Sequence, residues 1–406
     1  MGNTIVQRNT AAFFLILMCV QYIPIEGFGI SYLKVGAMCL SPMLLIIYSP
    51  KVSTAWLWGL LYCLSVSFSA LFHPETFRFS TIGYLYAFVF SFLLFYNLVH
   101  FEKVFSLDFF IKLLRGLIAA YIVCLLLQQV VMLLGFRSMP PINLTYSLDR
   151  GIWGNSLALE PSHAARILAV AFLAFLRTHE IKNGTPFTLR ELFGRDKWLT
   201  LGFLYAMVTL GSGTAFIALA IVCLYFFRKQ YIAVLVPLSL ALYLIIPVFN
   251  YEPLNRAVNT VETLLSDDPN QIVKEDRSAA VRIKPLINTF TNLDLTDPKI
   301  WFGEGTDASH NYNIYSKNFD KQMVGGINDY GLLSYLIGIL FIATCCLPRF
   351  FSLETLLLFV LVGLTVNNFA YIWGIYMLLV PVKYFYQTHV LENSKFEARR
   401  HTAGHL

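Results

Sequence analysis

Apolar residues along this chain gather into blocks separated by short polar connections. Twelve blocks stand out, at residues 11–25, 31–48, 55–72, 79–100, 116–135, 163–178, 198–210, 213–227, 231–249, 331–348, 354–367 and 371–386. A bilayer-spanning helix needs roughly 20 apolar residues, so each block predicts a transmembrane helix or most of one. The runs 198–227 and 354–386 also read as one long helix apiece. Gly211-Ser212-Gly213 and Asn367-Asn368 interrupt them, and a hydrated break suits those residues better than helix facing lipid. Two polar stretches exceed a simple turn: 136–162 and, much the longer, 250–329.

Composition removes the competing classes. The 406 residues are 57% hydrophobic and only 13% charged, against roughly 25% charged in a soluble domain. That excludes a soluble enzyme and a disordered chain. Apolar blocks from end to end also exclude a soluble domain on one anchor. The net charge of +6 suits basic cytoplasmic loops. Without a basic stripe interleaved with aromatics, it is no argument for nucleic acid. All seven cysteines fall in apolar segments and none has metal-ligand spacing, so they read as small buried hydrophobes. The first block has no small-residue cleavage site after it and reads as a retained anchor.

Charge then orients the blocks. With the N-terminus inside, the inner connections hold Arg8, Lys51, Lys103, Lys112, Arg115, Arg177, Lys182, Arg190, Arg195, Lys197, Arg228, Lys229, Arg349 and Lys383, and the tail adds Lys395, Arg399 and Arg400. That excess is what the positive-inside rule requires, and fusing only one doubtful run would scramble it. The expectation is an all-α polytopic integral membrane protein of about 12 transmembrane helices. Both termini are cytoplasmic, and one large extracytoplasmic loop lies between spans nine and ten. Residues 1–249 carry spans 1–9, 250–330 the loop, 331–386 spans 10–12, and 387–406 a cytoplasmic tail.

Four polar features fall on the outer side. Glu160-Pro161-Ser162-His163-Ala164-Ala165-Arg166 opens the sixth span. Pro161 suits a first helical turn, and Glu160 sits beside the positive helix end. A helix start with a snorkelling arginine explains this run as well as a site does. Ser212-Gly213-Thr214 forms an outward tip whose backbone N–H groups suit an anion, although taken alone such residues more often pack helices. In the large loop, Arg277, Val281 and Lys284 share i, i+4, i+7 spacing, with Arg282 pointing elsewhere. Arginines grip phosphate by paired hydrogen bonds, but a charged loop segment is also commonly a solvated face. The fourth feature runs Phe302-Gly303-Glu304-Gly305 to His310-Asn311-Tyr312-Asn313, followed by Asp329-Tyr330-Gly331-Leu332 at the tenth span. Its glycines promise tight turns, and His310 is the loop's only histidine.

In this order the four features resemble the bacterial O-antigen polymerase and O-antigen ligase superfamily. As topology the resemblance extends over most of the chain; as motif it runs from Glu160 to Leu332. It implies a GT-C-like membrane glycosyltransferase in the bacterial inner membrane. The enzyme would work at the outer face without metal or other cofactor, on undecaprenyl-diphosphate-linked oligosaccharide. Arginines would hold the diphosphate, and the loop histidine would lie near the acceptor. Ser212-Gly213 stands where ligase-like members often have Ser-Arg, and His310 lies further from the downstream glycines than in ligases. Both departures favour a polymerase over a ligase.

The residues then divide by task. Without a metal, the leaving diphosphate must be neutralised by positioned side chains and backbone dipoles. Arg282, Arg277 and Arg166, with Ser212 and Gly213, are the candidates. The attacking hydroxyl needs a proton acceptor, either His310 or Glu160. His163, Gly303, Gly305, Asn311 and Tyr312 are candidate glycan contacts; Trp301 and Tyr312 could stack on sugar rings, although such aromatics more often pack a loop or sit at the interface. Partners are the lipid-linked substrate and the bilayer, with a chain-length-regulating protein left open and no nucleic acid. A ligase acting on another acceptor and a lipid-linked-sugar transporter remain the alternatives. Transporters often show related halves, and this chain shows none; Lys34 is the residue that favours one.

Overall fold

A computed structural model describes residues 2–21, 31–136, 154–227, 255, 277–312, 315–316, 318–366 and 369–403, without the side chains of 2–3, 277–279, 282 and 390–403. The expected ninth span, Asn313, the Asn367-Asn368 break, most of 136–162 and nearly all of 250–276 fall outside them.

The described chain is helical, with no strand among the described residues. In order the helices are α1 (Gly2–Cys19), α2 (Tyr32–Tyr48), α3 (Thr54–Leu71), α4 (Phe79–His100), α5 (Leu107–Leu133), α6 (Pro161–Asn183), α7 (Leu189–Arg195), α8 (Lys197–Thr209) and α9 (Gly213–Cys223). Then come α10 (Arg277–Thr291), α11 (Pro298–Phe302), α12 (Ile327–Cys346), α13 (Leu353–Val362) and α14 (Ala370–Ala403). Among the described residues four stretches are long and apolar enough to cross a bilayer: Thr54–Leu71, Phe79–His100, Leu107–Leu133 and Val324–Cys346. This is a helical membrane protein.

The split at Gly211-Ser212 is present, because α8 stops at Thr209 and α9 starts at Gly213. These helices have 13 and 11 residues, so at about 1.5 Å per residue each is shorter than a hydrocarbon core of about 30 Å. The second doubtful run is also broken, between α13 and α14. Helix continues through Ala403, where the sequence suggested only a tail.

The centre of the molecule is α6. It is buried almost all round, as a helix apolar on every side must be, and packs on α5, α9 and α14. Ala164, Ala165, Ala169, Ala171 and Ala174 let neighbouring backbones approach closely. Trp373 of α14 stacks on Phe88 and tilts against Phe92 and Phe341, joining α4, α12 and α14.

The helix ends sort onto two faces. On one, Lys51 pairs with Glu102, Arg115 with Asp196, Lys182 with Asp108, and Arg177 with Glu180 and Glu354. These cations belong to the set that the sequence placed inside. On the other, the α3–α4 connection, the start of α12, the α13–α14 connection and the start of α6 come together. All of the sequence-selected site residues whose side chains are described lie on this second face.

Candidate functional site

The first half of the site is the N-terminus of α6. Glu160 occupies the cap position in extended conformation, with Pro161 in the first turn. Its carboxylate accepts from the Ser162 hydroxyl at 3.3 Å and lies 3.8 Å from His163 Nε2. The His163 ring stacks on Tyr371 of α14, centroids 3.9 Å apart. Arg166, a turn deeper and 8% exposed, donates from Nη1 to the Tyr371 hydroxyl at 2.6 Å. Its guanidinium also lies over the Tyr371 ring. Among the described residues no carboxylate comes within 4.0 Å of it, and its Nε has no partner. A buried arginine that meets no carboxylate among the described residues is costly at a membrane protein's face, which makes Arg166 a candidate for the site. The sequence reading missed Tyr371; its place just past the Asn367-Asn368 interruption was the available signal.

Ser212 and Gly213 form the start of α9, which packs on α6, with Tyr225 just past the end of α9 lying under Arg177 near the end of α6. The Ser212 hydroxyl makes no capping hydrogen bond. Thr214 is buried behind it.

The second half is a clasp between two sequence motifs. Glu304 N–H donates to the Asn328 carbonyl at 2.8 Å and Gly305 N–H to the Asp329 carbonyl at 3.1 Å. The Asp329 carboxylate accepts from Ser309 N–H at 2.7 Å. Gly303 (φ 80°, ψ −177°) and Gly331 (φ 84°, ψ 165°) both occupy backbone space that only glycine reaches comfortably. A Cβ on Gly303 would strike the Asp329 carbonyl, and one on Gly331 the Trp301 carbonyl. The clasp sits on the end of α3. Ser69 donates its hydroxyl to the Phe302 carbonyl, and His73 Nε2 lies 3.2 Å from the Gly303 carbonyl.

The clasp and the α3–α4 connection enclose an open cleft of about 440 Å3, with Glu75, Arg78, Glu304, Asp307, His310 and Asn311 among its walls. Arg78 pairs with Asp307 at 2.7 Å. His310 is 77% exposed on the rim, its Nδ1 3.3 Å from the Asp307 carbonyl. Tyr312 donates to Glu304 at 2.8 Å. Partial burial and then that carboxylate push the Tyr312 hydroxyl up to about 12, so it remains a neutral donor. Glu75 and Arg78 were also missed; they lie in a short polar connection, 73–78, that the topology already places beside the large loop.

Other sequence-selected residues have separate surroundings. No hydrogen bond or ion pair joins Glu160 to His310; Glu160 engages Ser162 and His163 instead. Trp301 donates its indole N–H to the Leu295 carbonyl at 2.9 Å and packs near Ile327 and Leu332, a loop-packing role. On α10, Lys284 is buried against Asp320 and Phe319, whereas Val281 is exposed, so their shared spacing makes no common surface. The backbone of Arg277 and Arg282 is in α10, and their side chains are outside the described residues. No protein-family model, curated protein or solved structure matches this chain.

Proposed function

We propose that the chain is an oligosaccharide repeat-unit polymerase at the outer face of the bacterial inner membrane. It transfers glycan from undecaprenyl diphosphate to a sugar hydroxyl of another lipid-linked repeat unit. The observation that carries this reading is Arg166, a buried cation that meets no carboxylate among the described residues, on the same face as a polar cleft rimmed by His310. Topology follows the sequence: twelve crossings with both termini cytoplasmic, and the cleft face outward.

In this reading the acceptor sugar enters the cleft, where Glu304, Asn311 and the Arg78–Asp307 pair offer donors and acceptors to its hydroxyls. The acceptor oxygen attacks the anomeric carbon and its proton passes to His310. The anomeric C–O bond breaks as the new glycosidic bond forms, and the electron pair leaves on the diphosphate. Arg166, with Arg277 and Arg282 from the loop and the N–H groups around Ser212-Gly213, neutralises the leaving group. Glu160 orients His163 and with it the face of Tyr371 that holds Arg166. A ligase would use the same donor site with a different acceptor.

A strain lacking the protein is expected to accumulate capped single repeats on the lipid carrier. Arg166→Ala and Arg282→Ala should each abolish elongation with protein levels intact. Long polysaccharide chains in the deletion strain would end the polymerase reading, and unchanged chain lengths in Arg282→Ala would remove that residue from the clamp.

A further inference from the structure

Lys34 stands in the first turn of α2 and is 8% exposed. Its ammonium donates to the Val20 carbonyl, just past the end of α1, at 3.1 Å. Among the described residues no carboxylate lies within 4.0 Å of it. The placement is unfavourable twice over. Burial removes water from the charge, and a helix N-terminus stabilises anions and repels cations. Lys383, on the other face, shows how a buried lysine is satisfied structurally. It donates to two carbonyls, of Ala343 and Thr344, at the end of α12, where the helix dipole favours a cation. Lys34 has one carbonyl and the opposite helix end.

Contacts connect Lys34 to the mouth of α6. Gln21, next to Val20, donates its N–H to the Leu157 carbonyl at 2.8 Å and accepts from Leu159 N–H at 2.6 Å. Leu159 immediately precedes Glu160, the cap of α6. Gly374, about a turn beyond Tyr371 on α14, packs against the backbone of Met18 and Cys19. The two buried cations therefore belong to one junction of α1, α2, α6 and α14.

We propose that Lys34 and Arg166 form a single anion seat for the diphosphate head of a prenyl-linked sugar. The inference rests on the lipid-diphosphate reading above and adds a residue to it. Two desolvated cations, each near a helix N-terminus, make a field that a pyrophosphate ester neutralises. Lys34 supplies a point charge, and the Arg166 fork supplies direction.

The test is a binding titration of the full chain in nanodiscs with farnesyl diphosphate, run beside inorganic pyrophosphate. Lys34→Met should weaken binding of the ester roughly tenfold or more, as expected for losing a charged hydrogen bond to phosphate. Lys34→Arg should retain most of it, and elution volume and Tm should stay at wild-type values. Lys34→Gln, which keeps a donor for Val20 without the charge, reads the same titration should Lys34→Met lose its fold. Pyrophosphate binding as tightly as the ester places recognition in the phosphates; binding of the ester alone places it in the lipid head group. Either supports the seat. Wild-type affinity in Lys34→Met and Lys34→Gln would overturn it, while loss of binding in Arg166→Ala would leave the lipid-diphosphate reading standing. No binding by the wild-type chain would overturn both.

Discussion

Gly303 and Gly331 each face a carbonyl of the opposite motif, in backbone conformations closed to other residues. Gly331→Ala should therefore cost about 3 kcal/mol or more, since the conformation and the collision add. Thermal unfolding in detergent checks this; an unchanged Tm would show that the clasp does not constrain the fold. Tyr312 gives a pH signature at the same scale. Its folded hydroxyl is held near 12 while an unfolded tyrosine titrates near about 10. The phenol's contribution to stability is thus complete below about pH 10 and is lost as pH rises toward 12. Subtracting the ultraviolet tyrosinate titration of Tyr312→Phe from wild type should isolate one group ionising near 12. Removing its Glu304 partner by Glu304→Gln should move that group downward. A difference curve centred at the ordinary tyrosine value would contradict the contact.

Among elements, the start of α12 is the part on which the clasp depends. Asp329 binds Ser309 N–H through its side chain and Gly305 N–H through its backbone, so one residue holds both ends of the 305–309 turn. Asp329→Ala should cost about 1.5–3 kcal/mol, the range for a charged hydrogen bond. Proteolysis around residues 303–312 should accelerate, and wild-type resistance would show that the turn stands by itself. What was legible here follows from range. The breaks at Gly211-Ser212 and before α14 are local, and glycine and asparagine announce them. The full length of α6 was not, because Arg177, Glu180 and Lys182 look like loop until Glu354 and Asp108 are seen to pair with them. The glycine motifs were visible as turns, but their mutual fit spans more than twenty residues of chain and leaves no periodic trace. Glu75, Arg78 and Tyr371 carried only weak local signals, a short polar connection and a position just past Asn367-Asn368, and each is brought to the site from a part of the chain remote in sequence.

At the scale of the whole molecule, ion pairs occur on both faces, Arg78–Asp307 among them on the cleft side, and the contrast lies in particular buried cations. One face ties its cations to carboxylates in pairs such as Lys51–Glu102 and Arg177–Glu354. The other keeps Arg166 and Lys34 buried without such partners among the described residues. The more exposed of these, Lys51–Glu102 and Lys182–Asp108, contribute little stability each, whereas Arg177 and Arg115 neutralise the buried Glu354 and Asp196. The low overall charge and apolar blocks made the membrane class legible at once, and the basic connections gave the sidedness now proposed. A topology reporter inserted at Asn270 should score outside the cytoplasm, and a cytoplasmic score would invert the assignment. The most direct test of the central claim is reconstitution in proteoliposomes with undecaprenyl-diphosphate-linked repeat units. Wild type is expected to yield a ladder of products growing by whole repeats, with Arg166→Ala yielding none. Substrate left as single repeats by a folded wild-type protein would contradict it.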